Sequence, residues 1–241
     1  MKRNERHHLK ENEVAEWILE LREQYEANKQ TINYGLIAIA LVAAAVIGTM
    51  AWRSMAADRA TALLAEAMTV AEAPVTPPVA GETGALPKQP AGTFPSTRAR
   101  AEAALPKFIA VADAYPSREA GLVATYRAAA ALVELGRADE AIQKYKAVVE
   151  KGTGVVQAMA KLGIADAQMA AGKHADAVAS LKDLAAKGGE ELPLDGVLMQ
   201  LGRAYRLSGQ AADAKKSFQR LVDEFPTSVY ASEARRELES L

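Results

Sequence analysis

Cysteine is absent from the 241 residues, so the chain forms no disulfide, offers no thiol nucleophile and has no lipobox cysteine to carry a lipid. Histidine is scarce: His7 and His8 are adjacent near the N-terminus, and His174 stands alone. Two neighbouring histidines with no third ligand make a weak metal site. Past Trp52 there is also no asparagine, and a Ser-His-Asp or Cys-His centre needs a base oriented by a second group. His174 follows the turn glycine Gly172, an exposed position, and Asp166 and Asp176 are near it in sequence without making a ligand cluster. No catalytic residue, no metal and no cofactor is expected. The 29 basic and 30 acidic residues leave a formal charge of -1, and aromatics are 5% of the chain, so the basic excess and aromatic interleaving of a nucleic-acid binder are missing. Half of the residues are apolar, but alanine dominates them. That composition suits closely packed helices and predicts an all-α fold.

Charge itself is missing between Lys29 and Arg53. Ile32 to Trp52 reads INYGLIAIALVAAAVIGTMAW, and at about 1.5 Å rise per residue such a helix spans about 30 Å, the hydrocarbon thickness of a bilayer. Tyr34 and Trp52 sit where interfacial aromatics belong. A transmembrane helix over 32–52 is expected, with a buried helix of an unusually apolar bundle as the alternative. A cleaved signal peptide fits less well, because the apolar run is too long and a polar segment from Met1 to Lys29 precedes it, although Ser54-Met55-Ala56 could pass as a cleavage site. Lys2, Arg3, Arg6, Lys10, Arg22 and Lys29 lie before the span, against Arg53 and Arg59 shortly after it. The positive-inside rule then predicts a cytoplasmic N-terminus and an exported C-terminal part.

Residues 1–31 are expected to form a cytoplasmic segment with an amphipathic helix. Val14, Trp17, Ile18, Leu21 and Tyr25 recur at spacings of three and four and make a candidate docking stripe. A flank with seven glutamates is a poor ligand for anionic lipid, which favours a protein contact; self-pairing or rest on the headgroups is the alternative. After the span, 53–73 continues as an exported helix. Residues 74–96 hold Pro74, Pro77, Pro78, Pro87, Pro90 and Pro95 with Gly81, Gly84 and Gly92, a stretch that neither propagates a helix nor supplies a ladder strand, and is expected to be a linker or insertion.

From 97 to 241 the chain repeats itself. Leu198-x-x-Leu201-Gly202-x-x-Tyr205, then Gly209, Ala214, Phe218, Leu221 and Pro226, follow the tetratricopeptide (TPR) pattern. Leu198, Leu201 and Tyr205 make the inward stripe of a helix A, Gly202 lets helix B come close, Gly209 permits the turn, and Pro226 ends helix B. Gly136, Ala141, Tyr145 and Val148 form an earlier copy, and Gly172, Ala177, Leu181 and Leu184 another. The turn glycines 136, 172 and 209 lie 36 and 37 residues apart, slightly above the usual spacing of about 34, so loops such as Gly188 to Asp195 are a little long. Ala104, Phe108, Val111 and Pro116 occupy helix B positions of a half copy. Arg53 to Ala73 is expected to supply its helix A across the proline-rich insertion; an orphan capping helix is the alternative. Thr227 to Leu241, with Val229, Tyr230, Ala234, Leu238 and Leu241 at helical spacing, is expected to cap the stack. The fold class that follows is a single N-terminal transmembrane helix with a TPR-type α-solenoid of about three to four repeats and a C-terminal capping helix.

The ending FPTSVYASEARREL resembles tetratricopeptide proteins of bacterial envelopes. With the acidic amphipathic helix, the single anchor and the alanine-rich repeats, the chain is similar in architecture to the YfgM-type family. That resemblance implies an ancillary subunit of the SecYEG translocon in the bacterial inner membrane, its C-terminal domain in the periplasm, working with chaperones on emerging client chains. Counting from each turn glycine, the residues expected to line the inner groove are Tyr126, Val133, Glu134, Met159, Leu162, Met169, Met199, Arg203 and Arg206. Such a groove is largely apolar, with three methionines and two arginines at one end, and suits varied apolar peptides. Tyr126 and Ala130 stand where a carboxylate clamp would need Lys and Asn, which disfavours an EEVD-type ligand. A structural subunit of a division, cell-wall or outer-membrane assembly complex is the other class considered, docked through its membrane and juxtamembrane helices. A cytosol-facing import receptor of inverted topology is a third. Small residues at Ala40, Ala43, Ala44 and Gly48 leave self-association of the span open.

Overall fold

A computed structural model describes residues 3–77, 89–187 and 192–241, with side chains from Trp17 onward. Val14, His7 and His8 therefore lie outside the described side chains, and most of the proline-rich stretch and Gly188 lie outside the described residues. The described residues form helices and no strand: α1 Arg3–Ala71, α2 Thr97–Ala114, α3 Glu119–Glu134, α4 Ala138–Lys151, α5 Gly154–Ala170, α6 His174–Ala186, α7 Leu194–Leu207, α8 Ala211–Glu224 and α9 Ala231–Ser240. The chain divides into two compact units, 1–56 and 57–241.

The first unit is the part of α1 up to Ala56. Its backbone leaves helical geometry at Asn28, with φ -116° and ψ 16°, and the Asn28 side-chain amide donates to the Gln24 carbonyl at 3.2 Å. The break falls between the amphipathic stretch and the uncharged run. Beyond it the large apolar side chains Leu36, Ile37, Ile39, Leu41, Val42, Val46, Ile47 and Met50 are all exposed. Thr49 is the one hydroxyl between Leu36 and Met50, and it donates to the Val46 carbonyl at 2.8 Å, which leaves no donor unmet there in an apolar setting. Among the described residues, α1 is the one helix long and apolar enough to cross a membrane.

The second unit is a stack of antiparallel helix pairs. Gly136, Gly172 and Gly209 follow α3, α5 and α7 with φ of 76°, 73° and 74°, a left-handed conformation that a side chain resists. In each turn the next amide reaches back to the helix: Arg137 N–H donates to Leu132 O at 2.8 Å, Lys173 N–H to Gln168 O at 2.8 Å, and Gln210 N–H to Tyr205 O at 2.9 Å. This is the Schellman closure of a helix end. Three identical turns produce three identical reversals, α3–α4, α5–α6 and α7–α8. Direct contacts of α3 with α5 and of α5 with α7 place the first helix of each pair on the inner side of the stack.

The core is alanine-rich and keyed by a few large rings. Ala67, Phe108, Ala124, Ala128, Leu132, Tyr145 and Val148 belong to one buried cluster, against which Leu64, Met68 and Val70 of α1 pack. Glu66 pairs with Lys107 of α2 at 2.6 Å. A second cluster centres on Leu181, Val197 and Leu201, and a third on Leu198, Phe218, Leu221 and Ala234. The described ends of the proline-rich segment form no strand but meet in one isolated parallel bridge: Thr76 N–H donates to Phe94 O and Phe94 N–H to Pro74 O, both at 2.9 Å. Proline lacks a donor but keeps its carbonyl, and here Pro74 uses it. The terminal helix begins at Ala231, later than Thr227: Pro226 to Tyr230 forms turns, Val229 is exposed, and Ala234 and Leu238 supply the packing.

A Cβ placed on Gly202 would fall inside contact distance of the Phe218 ring, whereas one on Gly196 would meet only the edge of Tyr230 at 3.5 Å. Gly202→Ala should therefore cost about 1–3 kcal/mol through overpacking. Thermal melts of the two single variants check this: Gly202→Ala is expected to melt several degrees lower, and Gly196→Ala within a degree or two of the parent or above it.

Candidate protein-binding face

The expected groove residues all belong to the inner helices α3, α5 and α7. Tyr126 and Val133 of α3 are half-buried against the first core cluster, and Leu162 and Met169 of α5 against the second. Met159 is exposed. Glu134 lines a recess of about 200 Å³ with Arg127 of α3, Arg100 and Phe108 of α2, Met68 of α1 and Glu72 just past the end of α1.

Two expectations about this face need correction. Met199 is 1% exposed and packs in the third cluster beside Leu198 and Phe218, so it is a core residue and leaves the groove. The reason is the capping helix: α9 closes over the last inner helix, and its Ala231 and Ala234 bury that side of α7. The same helix takes up both arginines. Arg203 Nη2 donates to Glu233 Oε1 at 2.5 Å, and Arg206 Nη1 stands 2.9 Å from Glu237 Oε2 in an ion pair whose angle does not make a hydrogen bond. The positive end expected from the sequence is thus neutralised within the fold. His174, expected in an exposed position, is half-buried with its Nδ1 enclosed and without a hydrogen-bond partner among the described residues. No group of acidic, histidine or cysteine side chains among the described residues could hold a metal ion.

Asp166 is the inner-face residue that the count from the turn glycines passed over. It stands six residues before Gly172, as Ala130 stands before Gly136 and Arg203 before Gly209, so the signal was present in the same arithmetic. Its side chain is half-buried, and its Oδ1 is enclosed with no donor within reach among the described residues. Burial raises its pKa to about 6, against the opposing pull of the Arg203 guanidinium. Tyr126 and Tyr145, also sensitive to the Asp166 charge, meet edge to face with centroids 5.3 Å apart, and burial pushes both phenols upward. The Tyr145 ring lies over Gly163 of α5, where a Cβ would come within 2.5 Å of it. Helix α5 can thus come close enough to α4 to hold Asp166 beside the aromatic pair.

The repeats and their turns define the class. The tetratricopeptide repeat family model matches residues 124–151 and 197–228, which cover most of α3 with α4, and α7 with α8. The chain therefore carries tetratricopeptide repeats, and the unmatched pair between them, α5–α6, closes its turn in the same way. Among solved structures, the chain is similar to the nearly identical TPR-like repeats of a Podosopora anserina protein described as a kinesin light chain, with TM-score 0.50, 19% identity, and 58% of this chain and 76% of that one covered. A second structure of those repeats matches with TM-score 0.50 at 18% identity over the same shares. This likeness establishes the all-helical repeat fold. No curated protein sequence matches the chain.

Because the folded state favours the protonated form of Asp166, the stability it contributes is present at acid pH and is lost as pH rises through about 6. Asp166→Asn should therefore melt above the parent at pH 8, by on the order of 3 kcal/mol at most, with the gap closing as pH falls toward 4.5. Melts of the two proteins across that range test the sign: a gap that stays constant with pH would refute it.

Proposed function

We propose that the chain is a single-pass membrane protein whose repeat unit is a scaffold for protein–protein interaction, held outside the cytoplasm. The repeats make a protein-binding role the plain reading, since stacked helix pairs present an extended inner face and the described part of that face holds no metal-ligand cluster. Membrane anchoring rests on one observation above all: the uncharged run in α1 has its large apolar side chains exposed, with nothing in its own unit to cover them. Lipid is the solvent that such a surface suits. The basic excess before the span directs the N-terminus to the cytoplasm and the repeats to the periplasm. With the YfgM-type resemblance, this supports an adaptor at the Sec translocon that meets chaperones or client chains.

The other reading, a structural subunit of a division, cell-wall or outer-membrane assembly complex, draws on a different observation. Trp17, Ile18, Leu21 and Tyr25 are exposed on one stripe of α1, while part of the inner face is occupied by the chain's own capping helix. In that reading the stripe docks the protein and the groove is secondary.

A periplasm-dependent phosphatase fused after Leu241 is expected to be active, and a cytoplasm-dependent fluorescent fusion dark; the reverse pattern would mean the inverted topology. A photocrosslinking residue at Met159 is expected to capture a translocon subunit, a chaperone or an emerging chain. Loss of complex membership on changing Trp17 and Leu21 to glutamate, with no effect of groove substitutions, would instead select the structural-subunit reading.

A further inference from the structure

We infer that Asp166 forms a subsite on the inner face for a lysine or arginine side chain of the bound protein segment, set beside apolar residues of that segment. The inference rests on the reading of the repeats as a protein-binding scaffold and names the chemistry of what they bind.

Three features of the face point the same way. The first is charge: Arg203 is taken by Glu233 and Arg206 by Glu237, while the half-buried Asp166 keeps part of its surface open and receives no hydrogen bond on its enclosed Oδ1 from any described donor. A half-buried carboxylate in that state weakens the fold, and an amide or alanine there would be cheaper for stability alone. A destabilising ionisable group at an inner-face position is a marker of a recognition role. The second is what flanks it. Leu162 and Met169 lie four residues before and three after Asp166 on α5, the spacing that puts all three on one helix face, and both are half-buried apolar side chains. A lysine or arginine has this character along its own length, with a methylene stem that covers apolar surface and a charged head that needs an anion. The stem matches Leu162 and Met169, and the head matches Asp166. The third is Tyr126 on the neighbouring inner helix, held edge to face by Tyr145, a further surface that a cation favours. The charged groups that bear on the carboxylate and its aromatic neighbours are Arg203 of α7 and Arg127 of α3. Arg127 is exposed and lines the recess together with Glu72 and Glu134.

The test uses the full chain in detergent at pH 7.5 and physiological salt, with the fluorescently labelled peptide AALAKLAA blocked at both ends and its counterpart with glutamine in place of lysine. The parent protein is expected to bind the lysine peptide at least about tenfold more tightly than the glutamine peptide. Asp166→Asn should bring that ratio to about one while leaving the glutamine peptide's affinity as it was, and Asp166→Glu should restore part of it. Since Asp166→Asn is expected to stabilise the fold, loss of the preference would not be a folding defect. A preference that survives Asp166→Asn, or no preference in the parent, overturns the subsite while leaving peptide binding by the repeats intact. If neither peptide binds the parent at any concentration, the subsite and the groove reading fall together.

Discussion

Close approach of helix backbones is the constraint on which the repeat unit depends. Alanine removes little apolar surface from water, and at about 25 cal/mol per Å² a single alanine stabilises weakly. A stack whose core is largely Ala124, Ala128, Ala129, Ala158, Ala160, Ala165 and Ala167 must therefore gain through proximity, with many dispersion contacts at short range. Gly163 and Gly202 are where this is most demanding, because the rings of Tyr145 and Phe218 occupy the space that a side chain there would need. The large residues are few and act as keys between helices that are otherwise nearly smooth.

That closeness also shapes the electrostatics of the inner face. Helices that pack tightly bring equivalent positions of successive repeats together, which is how Arg203 of α7 comes to influence Asp166 of α5. The capping helix adds Glu233 and Glu237 on the far side. The result is a run of alternating charges across α5, α7 and α9, in which the basic members are satisfied and the first acidic member is not. Partly exposed pairs such as Arg203–Glu233 contribute modestly to stability; their larger effect is to remove positive charge from the surface a partner would meet.

The first unit follows a different pattern. Among its described residues, the large apolar side chains from Leu36 to Met50 are exposed all round instead of along one stripe. A surface helix of a water-soluble protein carries a polar face; a helix apolar on every side is buried or lies in lipid. The break at Asn28 marks the end of that regime, since on its N-terminal side glutamates and arginine return between Trp17, Leu21 and Tyr25.

Local chemistry carried the architecture. An uncharged stretch long enough to span a bilayer, three glycines at near-equal spacing that must take up positive φ, and a small residue wherever helices cross can each be read one residue at a time, because backbone conformation and hydropathy belong to the residue itself. The turns at Gly136, Gly172 and Gly209 and the tight contact at Gly202 were legible for that reason. The face was legible only in part. Helical periodicity tells which way Met199, Arg203 and Arg206 project from α7, but whether those directions meet a partner, solvent or another helix depends on where α9 comes to rest. Packing placed α9 there, buried Met199, paired the arginines, and left an enclosed oxygen of Asp166 without a donor among the described residues. Burial and ion pairing are properties of two surfaces at once, and the second surface is supplied by a part of the chain some 30 residues away in the case of Arg203 and Glu233.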